Sequence, residues 1–298
     1  MPEDALIGPV RRPHNRFLEL PGSIHNNEVA SKLGFRGGTV AGSVHMDQFV
    51  PLLLELFGPS WFETGSLSLY FRSATTDGEP VQARAERPDQ PKDTQIAVSM
   101  NETDGTLVAD GTASVGDPGV PSAVFARDLR PADPGSLRIL AAFRPGESLG
   151  PLRLNPDAER QREVLERMTE PLPWYSSDSP WGGPIAAPST VVNLLYGEIL
   201  TPVKEKMGQR VGLFGAIEIR FSGGPVLLNQ AYDVSGEIVA LSETPKTEVL
   251  WFDSWAGARG QRVATMRMML RSMKAASPQL YPELAGAGAG AGATPARG

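Results

Sequence analysis

The chain has no cysteine among its 298 residues. That absence excludes disulfides, thiolate metal sites and a cysteine nucleophile. Histidine is scarce as well: only His14, His25 and His45 are present, so chemistry that needs imidazole has few places to reside. Basic residues are outnumbered, 28 Lys and Arg against 34 Asp and Glu, for a formal net charge of −6. With no basic cluster against that background, neither a nucleic acid nor a membrane surface is expected as a partner. No run approaches the ~18 apolar residues of a membrane span. The opening MPEDALIGPVRRPHNRF lacks the apolar stretch of a signal peptide, so a cytoplasmic location is expected. Asn101-Glu102-Thr103 fits a glycosylation sequon, which without a secretory route is read as chance. No His, Asp and Glu residues share metal-ligand spacing and no Gly-x-Ser-x-Gly elbow occurs, so neither a metal enzyme nor a serine hydrolase is expected.

What is present is ordinary for a soluble globular protein with a sizeable core: 41% apolar and 21% charged residues. The informative feature is an internal repeat. Residues 34–49 read GFRGGTVAGSVHMDQF and residues 181–195 read WGGPIAAPSTVVNLL. Each places a Gly-Gly pair before small residues that run into an apolar segment. Some thirty residues later each half carries a matching strand, Leu67 to Arg72 and Ile217 to Ser222. The alternation Leu67, Leu69, Phe71 and Ile217, Ile219, Phe221 puts three large apolar side chains on one face.

Three further strand candidates follow in each half. They are EPVQARAE, TQIAVSM and TLVADGTASV in the first, and NQAYDVSGE, TEVLWFDSWA and RVATMRMML in the second. Breaks at Thr103-Asp104-Gly105 and at Gly257-Ala258-Arg259-Gly260 are hairpin signals. Each half thus reads as one helix followed by about four antiparallel strands. The expected organisation is an N-terminal repeat over 1–120, a linker with a short helix over 121–170, a C-terminal repeat over 171–275 and a disordered tail over 276–298. Residues 116–154 are rich in Pro, Gly and Asp and read as a surface crossing. Asn155 is expected to cap the helix AERQREVLERM, with Pro156 at its first position. The GxG matches in AGAGAGAGA are products of low complexity and not a dinucleotide fingerprint.

In the first half, Ser23 is read as the cap of a short helix that stops at Gly34. The segment Arg36-Gly37-Gly38-Thr39-Val40-Ala41-Gly42 then leads into an apolar helix, with a kink or early stop expected at Pro51. The glycines have two readings. They bring the backbone close to a ligand, with N–H groups at the helix start forming an oxyanion hole, or they form a tight turn that lets the helix pack on the sheet.

Ile24-His25, Ala30, Gly34-Phe35 and Gly-Gly-Thr-Val-Ala-Gly together resemble the MaoC-like hydratase/dehydratase family of the hotdog superfamily. Gly183-Pro184-Ile185-Ala186-Ala187-Pro188-Ser189-Thr190 resembles the corresponding segment of double-domain members. The resemblance covers roughly residues 17–115 and 172–273. It implies an α+β double hotdog, two antiparallel sheets each wrapped around a central helix. It also implies a ligand that is a coenzyme A or carrier-protein thioester, with no separate cofactor. Hydratases of the family move water with an Asp/His pair. His25 falls at the family histidine, one residue closer to Gly-Phe, but Leu20 stands five residues before it, where the aspartate belongs. Glu19 and Ser23 are the nearest polar residues, and the histidine before the helix glycine is replaced by Ala41.

The candidate catalytic residues are therefore His25, Asp47 and His45; the candidate substrate-binding residues are Gly38, Ala41, Gly42, Trp181 and Gly183. His14 is set aside as exposed, and Asp178 as a turn residue. His45 and Asp47, two apart on a helix, point in different directions and cannot form a pair. The second half has no histidine, Thr190 matching His45, so imidazole chemistry belongs to the first repeat. Trp174, Tyr175 and Trp181 either line an acyl tunnel or pack the boundary between repeats. Three functions follow: a hydratase or dehydratase of acyl thioesters using His25, a thioesterase using Asp47, or a degenerate module that binds an acyl or apolar ligand. One chain already supplies paired repeats, so a monomer and a homodimer are both compatible with it.

Overall fold

The computed structural model describes residues 5–284 apart from 91, 134 and 209. The first repeat comprises β1 (Ala5–Ile7), α1 (Asn27–Lys32), α2 (Gly42–Asp47), α3 (Val50–Phe57), α4 (Trp61–Thr64), β2 (Ser66–Phe71), β3 (Val81–Glu86), β4 (Thr94–Glu102) and β5 (Leu107–Val115). β6 (Ser148–Leu154) and α5 (Ala158–Leu165) follow. The second repeat continues with α6 (Pro188–Tyr196), α7 (Thr201–Met207), β7 (Gly212–Phe221), β8 (Tyr232–Glu243), β9 (Thr247–Ala258) and β10 (Gln261–Met273).

The ten described strands form one antiparallel sheet in the order β1-β3-β4-β5-β2-β7-β10-β9-β8-β6. The two sheets expected from the repeats are joined edge to edge by β2 and β7, with Leu67 opposite Ile219 and Leu69 opposite Ile217. Ser68 and Glu218, which align in sequence, face each other at the centre of that pairing. A two-fold axis relating the repeats must pass there. Joining also removes two free sheet edges. Leu67, Leu69, Ile217 and Ile219 are fully buried in the main core with α3, α4 and α6, as their period of two requires. The β9–β10 hairpin closes through Arg259 and Gly260, both at positive φ, the backbone of a two-residue turn.

The central helix of the first repeat breaks where Pro51 demands it. α2 ends at Asp47 and α3 restarts at Val50, with Pro51 in its first turn, where a missing N–H costs nothing. Two helix starts differ from expectation. Asn26, not Ser23, caps α1, because its side chain accepts from Glu28 N and Val29 N. Asp157, not Asn155, caps α5 by accepting from Glu159 N.

The stretch between repeats runs over the surface as expected, but it is anchored to the sheet along its course. Its Pro-interrupted segment Ser148–Leu154 pairs with β8 as an edge strand, with a register shift between Leu149 and Leu152. Residues Ser122–Val124 cover the outer face of the sheet: Val124 N donates to Ser68 Oγ at 2.9 Å, and Ser122 Oγ donates to buried Glu218. Glu248, also buried, accepts from the backbone N–H groups of Arg138, Ile139 and Leu140 at 2.8, 2.9 and 2.8 Å and from the Tyr281 hydroxyl. That last bond holds part of the expected tail in place: residues 276–284 are ordered, with Ser277 and Tyr281 buried. Residues 285–298 lie outside the described residues. Among the described residues, no helix is long and apolar enough to cross a membrane.

Candidate active site

His25 lies where the Arg16–Ser23 turns meet α1. Its Nδ1 is 2.6 Å from the carbonyl oxygen of Thr39, and a carbonyl only accepts, so Nδ1 carries the proton and Nε2 of the neutral ring keeps its lone pair. Burial lowers the His25 pKa from its ordinary value, and the Thr39 carbonyl works against that shift. Neutral pH therefore finds the base form. The contact depends on the backbone around it: Thr39 N donates to Ile24 O at 3.1 Å and Asn15 Nδ2 donates to His25 O at 2.8 Å. Phe17 leans on the ring with centroids 5.3 Å apart. Gly38 is part of this arrangement, since a Cβ there would overlap the His25 carbonyl oxygen. Its role is to let residues 37–39 run against residues 24–25, which positions Thr39; Gly38 itself does not line the cavity.

Gly42 opens α2 and is also fixed by packing. A Cβ there would sit 2.6 Å from the Phe71 ring. The helix has no side-chain cap at Ala41. Val44 N donates back to Ala41 O at 2.9 Å. Among the described residues, no protein acceptor meets the N–H groups of Ala41, Gly42 and Ser43. These three residues line the cavity with His25.

His45 and Asp47 diverge as their spacing predicts. His45 is buried with Nε2 2.9 Å from Thr75 Oγ1. Burial pushes its pKa down to about 4, so it is neutral, and Nδ1 has no partner. Asp47 is buried rather than solvated. Its Oδ1 accepts from Ser189 N, in the first turn of α6, at 2.8 Å, and Oδ2 lies 3.5 Å from Arg16 Nη2. Burial pushes its pKa up to about 6 against the opposing effects of Arg16 and Ser189. Asp47 thus caps the second repeat's helix from the first repeat's helix, and it does not line the cavity.

The cavity measures about 970 Å³ and draws its walls from both repeats. His25, Gly42 and His45 face it from the first half, and Ser189, Thr190 and Asn193 from the second. Leu20 is half exposed on its wall. The lining has six Arg and Lys side chains and three Asp and Glu, the reverse of the whole chain's balance. Asp157 is engaged as the α5 cap, and Glu163 and Glu198 are exposed.

Trp181 and Gly183 lie outside the cavity. Trp181 donates to Glu63 Oε1 at 3.0 Å and packs edge-on against Trp174 and Phe62, at 5.5 and 6.0 Å. The aromatic group joins the repeats and is not a tunnel wall. The pairing of Thr190 with His45 is also corrected. The N-caps Ala41 and Ala187 are equivalent, both following a strand bridge, Thr39 to Thr76 and Ile185 to Leu227. Counting from them sets His45 against buried Val191 and Asp47 against Asn193. Ser189 and Arg16, which sequence reasoning did not single out, come into view only once α2 and α6 are packed together.

No protein-family model matches the chain, and no curated protein matches its sequence. Solved structures do match in fold. A Chloroflexus aurantiacus J-10-fl protein described as a candidate MaoC domain dehydratase superposes with a TM-score of 0.59 at 12% identity, over 91% of this chain and 95% of that one. A MaoC-like dehydratase gives 0.54 at 12% identity, over 91% and 97%. A Mycobacterium tuberculosis protein described as having a double hotdog fold gives 0.52 at 12% identity, over 91% and 96%. With ten strands in one sheet, a two-fold through its centre and a helix from each half packed on it, the chain is a double hotdog protein.

Proposed function

We propose that this protein adds water to, or removes it from, an acyl thioester, with His25 as the general acid–base group. The observation that carries the reading is the His25 ring itself: it lines a cavity of about 970 Å³ and its Nδ1–H is held by Thr39 O. In hydration, Nε2 takes a proton from water as the water oxygen bonds to C3 of the enoyl group. Electrons shift onto the thioester oxygen, and the imidazolium then returns the proton to C2. The N–H groups at the start of α2 lie on the same cavity and suit the developing oxyanion. With Leu20 in place of the carboxylate, one imidazole makes both proton transfers. Of the six cationic side chains of the lining, Arg16 and Arg72 pair with Asp47 and Asp110; the other four, Arg160, Lys204, Arg210 and Arg271, favour an anionic ligand, as coenzyme A and carrier-protein thioesters are. Fold relatives described as dehydratases support the same substrate class. The thioesterase alternative loses its base, because Asp47 is committed to Ser189 N and Arg16.

The test is mass spectrometry of the protein incubated with saturated, enoyl and 3-hydroxyacyl-CoA esters. Gain or loss of water with coenzyme A still attached is the expected outcome. Release of free coenzyme A in its place identifies a thioesterase and refutes this reading, and an unchanged panel refutes both enzymes.

A further inference from the structure

The ladder between β2 and β7 ends at Tyr70 opposite Ala216. Beyond it the strands part, and Arg72 and Arg271 border the cavity there. The other end of the same ladder is closed: Phe221 N donates to Gly65 O at 2.9 Å and Gly223 N to Glu63 O at 3.0 Å. At the open end three arginines gather on the outer face of the sheet. Arg72 and Arg127 lie over the Tyr70 ring, with Cζ 4.9 and 5.8 Å from its centroid, and Arg127 also reaches the Trp251 ring at 5.9 Å. Arg271 passes over Gly215, the residue before Ala216, where a Cβ would stand 2.7 Å from its Nε. The charges of Arg127 and Arg72 add to burial in lowering the Arg271 pKa. Among the described residues, Asp110 takes Arg72 through Nε and Nη2 at 2.5 and 3.1 Å, and no carboxylate pairs with Arg127 or Arg271. A ligand can reach all three. Arg127 is exposed, the Arg72 side chain is 47% exposed, and of the unbonded nitrogens of half-buried Arg271 only Nε is enclosed.

We propose that Arg127 and Arg271, with the free Nη1 of Arg72, form a phosphate site at the mouth of the cavity, and that it holds a phosphate on the arm carrying the thioester. This rests on the thioester reading given above. Like charges held together repel unless an anion sits among them, and guanidinium groups meet phosphate oxygens through paired N–H bonds. The faces of Tyr70 and Trp251 hold two of the guanidinium groups in place beforehand, so less side-chain freedom is lost when the anion arrives. The arm between a thioester sulfur and its first phosphate is long and flexible. An acyl group at His25 and a phosphate at the rim therefore suit one ligand, since His25, Arg72 and Arg271 line one cavity.

The test is calorimetric titration of the full chain with one acyl group on four carriers: pantetheine, 4′-phosphopantetheine, dephospho-coenzyme A and coenzyme A. At least one phosphate-bearing ester is expected to bind at least ~10-fold more tightly than the pantetheine ester. A gain already present with phosphopantetheine assigns the site to the phosphate that coenzyme A and carrier proteins share. A gain that first appears with either form of coenzyme A assigns it to the nucleotide part, which carrier proteins lack. Arg127→Gln and Arg271→Gln are each expected to cut the gain at least ~3-fold. Arg87→Gln, which removes a charge paired with Glu55 at 4.0 Å, is expected to leave it unchanged. Equal loss in all three variants is a general effect of net charge and overturns the inference, as does a gain that neither Arg127→Gln nor Arg271→Gln moves. No gain for any phosphate-bearing ester overturns it while the thioester reading stands. If no ester binds at all, pantetheine included, the thioester reading falls and takes this inference with it.

Discussion

The first turns of α2 and α6 hold equivalent places in the two repeats and face opposite fates. At α2, Ala41, Gly42 and Ser43 keep N–H groups with no protein acceptor among the described residues, on the wall of the cavity. At α6, Pro188 removes one N–H, and the next, on Ser189, is taken by Asp47. A helix start is an anion site by its geometry and its dipole. Here one is left open, while the other is filled by a carboxylate from the same chain. The difference shows how a duplicated fold becomes one-sided. The half with the open helix start also has His25, while Asp47, which belongs to that half, closes the other.

The comparison can be broken at its filled end. Asp47→Ala leaves Ser189 N and the Arg16 guanidinium without their partner, and denaturant unfolding is expected to show a loss of about 3 kcal/mol. At the open end, Gly42→Ala forces a methyl into the Phe71 ring, with an expected loss of about 2 kcal/mol. Trimming that ring with Phe71→Leu in the Gly42→Ala background is expected to recover part of the loss, which distinguishes a steric role for Gly42 from a purely conformational one.

Smaller effects come from titration. Asp47 binds its proton more tightly in the folded chain, with a pKa of about 6 against an ordinary 3.8. Its contribution is therefore fully present below 3.8 and is lost as pH rises through about 6. Asp47→Asn lacks that slope. The stability of the wild type relative to this variant is expected to grow between pH 7.5 and pH 5 by about 1 kcal/mol, read from unfolding at both values. His45 changes in the opposite direction, losing its contribution as pH falls from 6.5 through about 4, but it is common to both proteins and cancels. For His25, the shift is downward, so the acid limb of kcat/KM is expected to bend below the ordinary histidine value. A limb at or above that value contradicts a buried, neutral base.

Much of the fold was legible because it rests on period and punctuation. Leu67 with Leu69 and Ile217 with Ile219 announced the strands that meet at the centre of the sheet, and Pro51 announced the break between α2 and α3. What escaped had no such signal. β6 contains Pro151 and reads as linker, yet β8 supplies its ladder. Ser66, Ser68 and Glu218 look like solvent-facing positions, yet polar partners from Ser122–Val124 cover two of them and Ser114 Oγ bonds Ser66 Oγ at 2.7 Å. Burial by polar partners leaves no hydrophobic trace in the sequence.

At the site, the segment bearing His25 was legible through its order of motifs. The bond from Asp47 to Ser189 was not, because it spans 142 positions and exists only after the repeats pack. The one-residue error that set Thr190 against His45 has the same origin: the N-cap fixes the count, and Ala41 and Ala187 are both caps without a side-chain signature.

The most direct test of the central claim is kcat/KM for hydration of an enoyl-CoA ester, measured in parallel for the wild type, His25→Ala and Asp47→Asn. Loss of the acid–base group is expected to cost His25→Ala about 10²–10⁴-fold, while Asp47→Asn, which changes a residue outside the cavity, stays within about 3-fold. The opposite pattern, with His25→Ala active and Asp47→Asn dead, would place the chemistry on the carboxylate and contradict the account.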